Sequence, residues 1–277
     1  MSPPLRAAIV LSLGALWPAF GQVPATPEAA EPAAGETADW LFDSLSDSFA
    51  VGEAGTLRFR HPWGDVRVEG AATDRIHVTA LAQLHRDDPR RPSIRFAPGA
   101  ATHELVVEFA PDEGAADEAW KRRRIDVGLL VPAGLELELE TDRGLIEVEK
   151  MTAASRLTSD RGDVVYDGAG SLAARTERGS LRALLRTTGD GRTAELSTLT
   201  GDIRCILLAD ARADVTLETR GPVTTDYSVA IDRAPGSPLK KGRIRIGENG
   251  TAITLTSHSG GIRLQGLLAP EVEAEGD

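Results

Sequence analysis

Residues 135–168 read LELELETDRGLIEVEKMTAASRLTSDRGDVVYDG. Leu135, Leu137 and Leu139 alternate with Glu136, Glu138 and Glu140; beyond Gly144, Ile146 and Val148 alternate with Glu147 and Glu149. Alternation of period two marks a strand with one buried face. Two strands therefore meet at a glycine, and the same figure returns at Gly162, where Val164 and Tyr166 take the places of Ile146 and Val148.

Moving outward, the figure recurs around Gly179, Gly201, Gly221, Gly242 and Gly260, at spacings of 17, 22, 20, 21 and 18 residues. It also fits LRFRHPWGDVRVEG around Gly64, well upstream. Two residues after the glycine stand Val66, Ile146, Val164, Leu181, Ile203, Val223, Ile244 and Ile262, aliphatic in all eight units. Four residues after it stand Val68, Val148, Tyr166, Ala183, Cys205, Thr225, Ile246 and Leu264, mostly apolar. The glycine suits a corner that needs φ > 0. Thr141, Ser159, Thr176, Thr198 and Ser257, three residues earlier, can bond to turn backbone.

A repeat near 20 residues, longer than the 8–12 of hairpin sandwiches, predicts an all-β fold. The expected form is a right-handed β-solenoid or β-helix-like stack of ~20-residue rungs, with an antiparallel β-sandwich as the alternative. Residues 39–132 form a less regular N-terminal β region, with strands expected at 75–80, 93–97, 104–109 and 124–132. The interval from Gly64 to Gly144 has room for four rungs carrying insertions. Gly114–Arg124 is the one helix candidate. The regular repeat region spans 133–268, followed by an acidic tail at 269–277.

The ends read differently. Arg6 followed by the apolar Ala7–Leu16 and small residues at Ala19 and Gly21 predicts a signal peptide over 1–21, with an alternative cut after Ala25. Residues 22–38, rich in Pro, Ala and Glu, read as a disordered linker. The expectation is an exported protein, soluble in a periplasm or outside the cell, without a transmembrane segment in the mature chain.

These motifs resemble a bacterial family of exported β-strand-repeat domains named as adhesins and known as domain of unknown function 4097. The carrying features are LRFRHPWGDVRVEG (57–70), the junction LLVPAGLELELETDRGLIEVE (129–149) and the closing ITLTSHSGGIRLQG (253–266). The resemblance covers roughly residues 48–266. It implies an exported solenoid-like β domain with no established chemistry.

The chain has 277 residues, with 31 Lys+Arg against 42 Asp+Glu and a formal net charge of −11. That balance argues against nucleic acid as a partner, because phosphate binding needs a basic face. A single cysteine, Cys205, excludes an internal disulfide framework and a Cys-based zinc cluster. The five histidines lack metal-ligand spacing, and no GxSxG elbow or phosphate loop occurs. No catalytic residue, metal or cofactor is expected.

The turn triplets Asp142-Arg143-Gly144, Asp160-Arg161-Gly162 and Glu177-Arg178-Gly179 are the most unusual chemistry. If the units stack, Arg143, Arg161 and Arg178 make a cationic ladder able to grip anionic envelope groups bidentately. Pairing with the neighbouring acids is the plainer reading of the same residues. Trp63 sits at a turn where a ring can stack on a sugar. A second ladder, Asp65, Asp163 and Asp202, has the residue type needed for glycoside cleavage, yet Asp is also an ordinary turn residue. The function expected is non-enzymatic: an adhesin-like or envelope-structural role with an envelope glycan or envelope protein as partner. A polysaccharide-active enzyme and a periplasmic scaffold acting through protein contacts are the alternatives.

Overall fold

The structure is a computed structural model that describes residues 40–267 apart from 53, 87, 89, 110–122, 187 and 190. Most of the Gly114–Arg124 helix candidate, the signal peptide, the linker and the acidic tail lie outside the described residues. Among the described residues every regular element is a strand, and no helix is long and apolar enough to cross a membrane.

Two large mixed sheets hold the strands. The first runs, neighbour to neighbour, through Trp40–Ala50, Arg75–His85, Arg123–Pro132, Val66–Ala71, Ile146–Met151, Val164–Gly168, Leu181–Leu185, Ile203–Leu208, Ile262–Leu267 and Val223–Thr225. The second runs through Pro92–Ala97, Thr102–Phe109, Thr56–Trp63, Glu136–Arg143, Ser155–Arg161, Leu172–Arg178, Thr193–Thr200, Thr251–Ser257, Ala213–Thr219, Lys240–Ile246 and Ala230–Asp232. Each central glycine unit gives its first strand to the second sheet and its second strand to the first. Pairing between consecutive units is parallel: Leu139 lies beside Leu157, and Ile146 beside Val164.

The register turns the sequence alternation into continuous apolar rows. Phe59, Leu139, Leu157, Ala174, Leu196, Leu255 and Leu217 are successive partners on the inner face of the second sheet, all buried. Val66, Ile146, Val164, Leu181, Ile203 and Ile262 form the matching row of the first sheet. Each buried Leu or Ile contributes about 1.5–3 kcal/mol relative to an exposed one, which makes these rows the main stabilising feature.

Spatial order departs from chain order at both ends. Gly64 and Gly144 are on adjacent strands, since Thr56–Trp63 pairs directly with Glu136–Arg143, so no rungs stand between them. The intervening residues instead form antiparallel pairs, Arg75–His85 against Arg123–Pro132 and Pro92–Ala97 against Thr102–Phe109, on the far side of the Gly64 unit. At the other end the Gly260 unit is interposed between the Gly201 and Gly221 units. The segment around Gly242 pairs antiparallel with Ala213–Thr219, unlike its sequence relatives. Alternation is the same in parallel and antiparallel ladders, so the pattern alone does not separate the two.

The corner glycines have a reason beyond backbone angle. Gly64, Gly144 and Gly201 have φ of 132°, 140° and 146°, but Gly162, Gly179, Gly221 and Gly260 have no positive φ. What they share is crowding. A Cβ on Gly144 would come nearer than 3.0 Å to the carbonyl oxygen of Gly64, and each later corner glycine meets the carbonyl of its spatial neighbour in the same way. Close backbone approach, rather than φ alone, excludes every larger residue there.

Candidate functional site

The corners are built from backbone outward. Behind them runs a buried polar row: His61, Thr141, Ser159, Thr176, Thr198, Ser257 and Thr219. Thr176 Oγ1 donates to Gly162 O at 3.0 Å, Thr198 to Gly179 O at 3.1 Å, Ser257 to Gly201 O at 3.0 Å and Thr219 to Gly260 O at 2.6 Å. In each case the acceptor is the carbonyl against which the next glycine leans. The hydroxyls of Thr141 and Ser159 occupy the same place without a partner.

His61 fills this position at one end of the row. Its Nε2 lies 2.7 Å from Ile125 O, the carbonyl that crowds Gly64, and its Nδ1 lies 3.3 Å from Val107 O. Burial pushes the imidazole below its usual value near 6.5, against the raising effect of those carbonyls. The ring also stacks on Phe59, with centroids 5.8 Å apart. His61 is thus a structural counterpart of the hydroxyls, which its sequence neighbours Pro62 and Trp63 did not suggest.

The aspartates that follow the glycines are committed to backbone. Asp65 Oδ1 accepts from Leu145 N at 2.9 Å, Asp163 Oδ1 from Ser180 N at 2.7 Å, and Asp202 Oδ1 from Gly261 N at 2.7 Å. Each carboxylate therefore ties its corner to the next strand over. Leu145 and Ser180 alternate with the aspartates along the corner, so the carboxylates are two strands apart. Arg124 adds an ion pair to Asp65 at 2.8 Å.

The residues singled out as a cationic ladder fall into one register row. Trp63 is the partner of Arg143, Arg143 of Arg161, and Arg161 of Arg178, on four adjacent strands of the second sheet. Adjacent members are about 4.8 Å apart along the hydrogen-bonding direction. Trp63 and Arg143 are half-buried, whereas Arg161 and Arg178 are exposed. Among the described residues neither Arg161 nor Arg178 has an ion pair, so the pairing expected of these two arginines with the neighbouring acids is not formed. Arg60 takes up part of the acidic charge instead, 3.9 Å from Asp142 and 3.6 Å from Glu140.

Two shallow concavities lie on the outward face of the second sheet, and none of the four row residues lines either of them. One of about 400 Å³ is lined by Arg156, Ser159, Asp160, Arg175, Glu177 and Glu195. The other, about 310 Å³, takes in Arg175, Ser197, Glu218, Arg220 and His258. Arg220 contacts His258 at 3.0 Å. Among the described residues no three His, Cys, Asp or Glu side chains gather as a metal site. Cys205 is fully buried, and burial pushes its thiol up to about 12, which leaves it without nucleophilic character at neutral pH.

No family model matches the chain, and no curated protein matches it. Solved structures do. A "putative cell adhesion protein" from Clostridium sporogenes aligns at 10% identity and TM-score 0.49, over 81% of this chain and 100% of that one. A "putative adhesin" from Bacteroides fragilis aligns at 13% identity and TM-score 0.37, over 81% and 97% of the two chains. A "putative lipid binding protein" from Parabacteroides distasonis aligns at 9% identity and TM-score 0.27, over 82% and 96%.

Proposed function

We propose that this is an exported, non-enzymatic, adhesin-like protein of the domain-of-unknown-function-4097 type, which binds envelope glycan along the row Trp63, Arg143, Arg161 and Arg178. In this reading its two sheets are the walls of a right-handed solenoid, with each glycine unit as one turn. The register of those four residues carries the proposal. A guanidinium offers a planar fork for carboxylate or phosphate, and repetition on adjacent strands presents that fork at regular intervals to a polymer. The indole at the end of the row supplies a face for a sugar ring. The non-enzymatic reading is supported by Asp65, Asp163 and Asp202, whose acceptor oxygens hold backbone amides.

The test is incubation of residues 26–277 with peptidoglycan and neutral and acidic polysaccharides, with bound protein and soluble sugar measured in the same samples. Saturable retention without sugar release is expected. Retention should weaken at least tenfold in the Arg161→Gln/Arg178→Gln variant and in Trp63→Ala. Release of oligosaccharide would overturn the non-enzymatic reading, and unchanged retention in both variants would overturn the site.

A further inference from the structure

The opposite sheet carries a second cationic row that follows a different logic. Arg182 is the register partner of Arg204, and Arg204 of Arg263, on the adjacent strands Leu181–Leu185, Ile203–Leu208 and Ile262–Leu267. All three point outward and are exposed. Their row is bounded by Val165 on one side and Thr224 on the other, so no carboxylate lies next in register.

The contrast with the rest of the same face is informative. Elsewhere on the same face, acids and bases pair locally: Arg67 with Glu147 at 3.1 Å, Lys150 with Glu69 at 2.6 Å, and, close to Arg182, Arg186 with Asp167. Among the described residues Arg182, Arg204 and Arg263 have no such counter-ion. Arg204 Nε donates to the neutral amide of Gln265 at 2.7 Å, which fixes the side chain without cancelling its charge. Partial burial, with Arg182 and Arg263 on either side, pulls the Arg204 guanidinium down from its usual value. Like charges stacked at about 4.8 Å repel, and a protein of net charge −11 has carboxylates to spare. The absence of acid from this row is thus a local choice of residues.

The next row along these strands is Asp167, Leu184, Ile206 and Gln265, with Asp167 held by Arg186. Leu184 and Gln265 are half-buried there, and Ile206 is buried. The exposed surface is therefore a strip one arginine wide, with half-buried Leu184 and Gln265 beside it. A flat anionic membrane calls for a broad basic patch, and single-stranded nucleic acid for aromatic platforms along the groove; the row offers neither. An extended acidic polysaccharide fits, because its carboxylates recur along one line.

We propose that Arg182, Arg204 and Arg263 form a binding strip for an acidic polysaccharide, separate from the row on the opposite sheet. Each guanidinium takes one carboxylate of the polymer.

Polygalacturonate is the probe, with dextran as the uncharged counterpart and anionic phosphatidylglycerol vesicles and polyphosphate as rival anions. The full mature chain should bind polygalacturonate and not dextran, with affinity falling as NaCl rises. The Arg182→Gln/Arg204→Gln/Arg263→Gln variant should bind at least tenfold more weakly, while its thermal midpoint stays near that of the parent because the changes are exposed. The Arg243→Gln variant, which removes an exposed arginine of the second sheet outside both rows, should keep its polygalacturonate affinity, which separates this strip from a general loss of positive charge. Equal affinity of the triple variant and the parent would overturn the proposal. So would preferential binding to vesicles or polyphosphate, or an equal loss in Arg243→Gln.

Discussion

Gly144 leans on Gly64: the α-carbon of one packs so closely on the carbonyl oxygen of the other that a methyl group has no room between them. Eighty residues of chain separate the two, yet they are immediate neighbours across a parallel strand pair. The same contact, repeated from corner to corner, sets how near successive units approach.

Gly144→Ala should therefore destabilise the fold by about 3 kcal/mol or more, because the clash is with backbone that cannot rotate away. Gly128→Ala, in an open outward position of the same sheet, should stay within about 0.5 kcal/mol of the parent. Denaturant unfolding of both variants checks this; equal midpoints would show that the corners do not pack as described.

The buried hydroxyl row separates bonded from unbonded members. Thr176→Val removes the donor to Gly162 O and should cost about 1–2 kcal/mol. Thr141→Val removes a buried hydroxyl that has no partner, so stability should hold or rise by up to about 1 kcal/mol. Similar losses in both would contradict the difference between the two corners.

Asp163 is expected to behave as a backbone tie. Asp163→Asn keeps an oxygen for Ser180 N and should remain within about 0.5 kcal/mol of the parent, whereas Asp163→Ala should lose about 1–2 kcal/mol. Calorimetric melts of the pair give the answer, and an Asn variant as weak as the Ala variant would show that the negative charge itself matters.

His61 introduces a pH dependence. Its folded-state value lies below the ordinary 6.5, so below that pH the unfolded chain binds a proton that the folded chain resists. Stability is therefore fully present above about 6.5 and declines as pH falls from there toward the folded value. His61→Thr, which places the usual hydroxyl in the row, should flatten the slope between pH 6.5 and 5.5 at some cost in packing against Phe59. Urea titrations at several pH values measure both slopes, and parallel slopes would remove His61 as the cause.

Much of the wall structure was legible in residues such as Leu137, Leu139, Ile146 and Val148, because alternation states which side of a strand is buried. Neighbour relations were less legible. The Gly242 segment has the same glycine-and-alternation figure as the Gly201 segment, yet one is antiparallel and the other parallel, and local pattern is indifferent to that choice. His61 was obscured because its role depends on the carbonyls of Val107 and Ile125, which are distant in sequence. The arginine triplet at 182, 204 and 263 becomes a row only through register, which places Ile262–Leu267 directly beside Ile203–Leu208 although the two are distant in sequence.

The interposed Gly260 unit acts as a keystone. Thr251–Ser257 and Ile262–Leu267 stand between strands made earlier in the chain, joining Thr193–Thr200 to Ala213–Thr219 and Ile203–Leu208 to Val223–Thr225. A cut before Thr251 would not trim the protein from one end; it would split the body and orphan the piece from Ala213 onward. Assembly is correspondingly non-vectorial: residues 213–246 must wait, unseated, until the segment that locks them has been delivered.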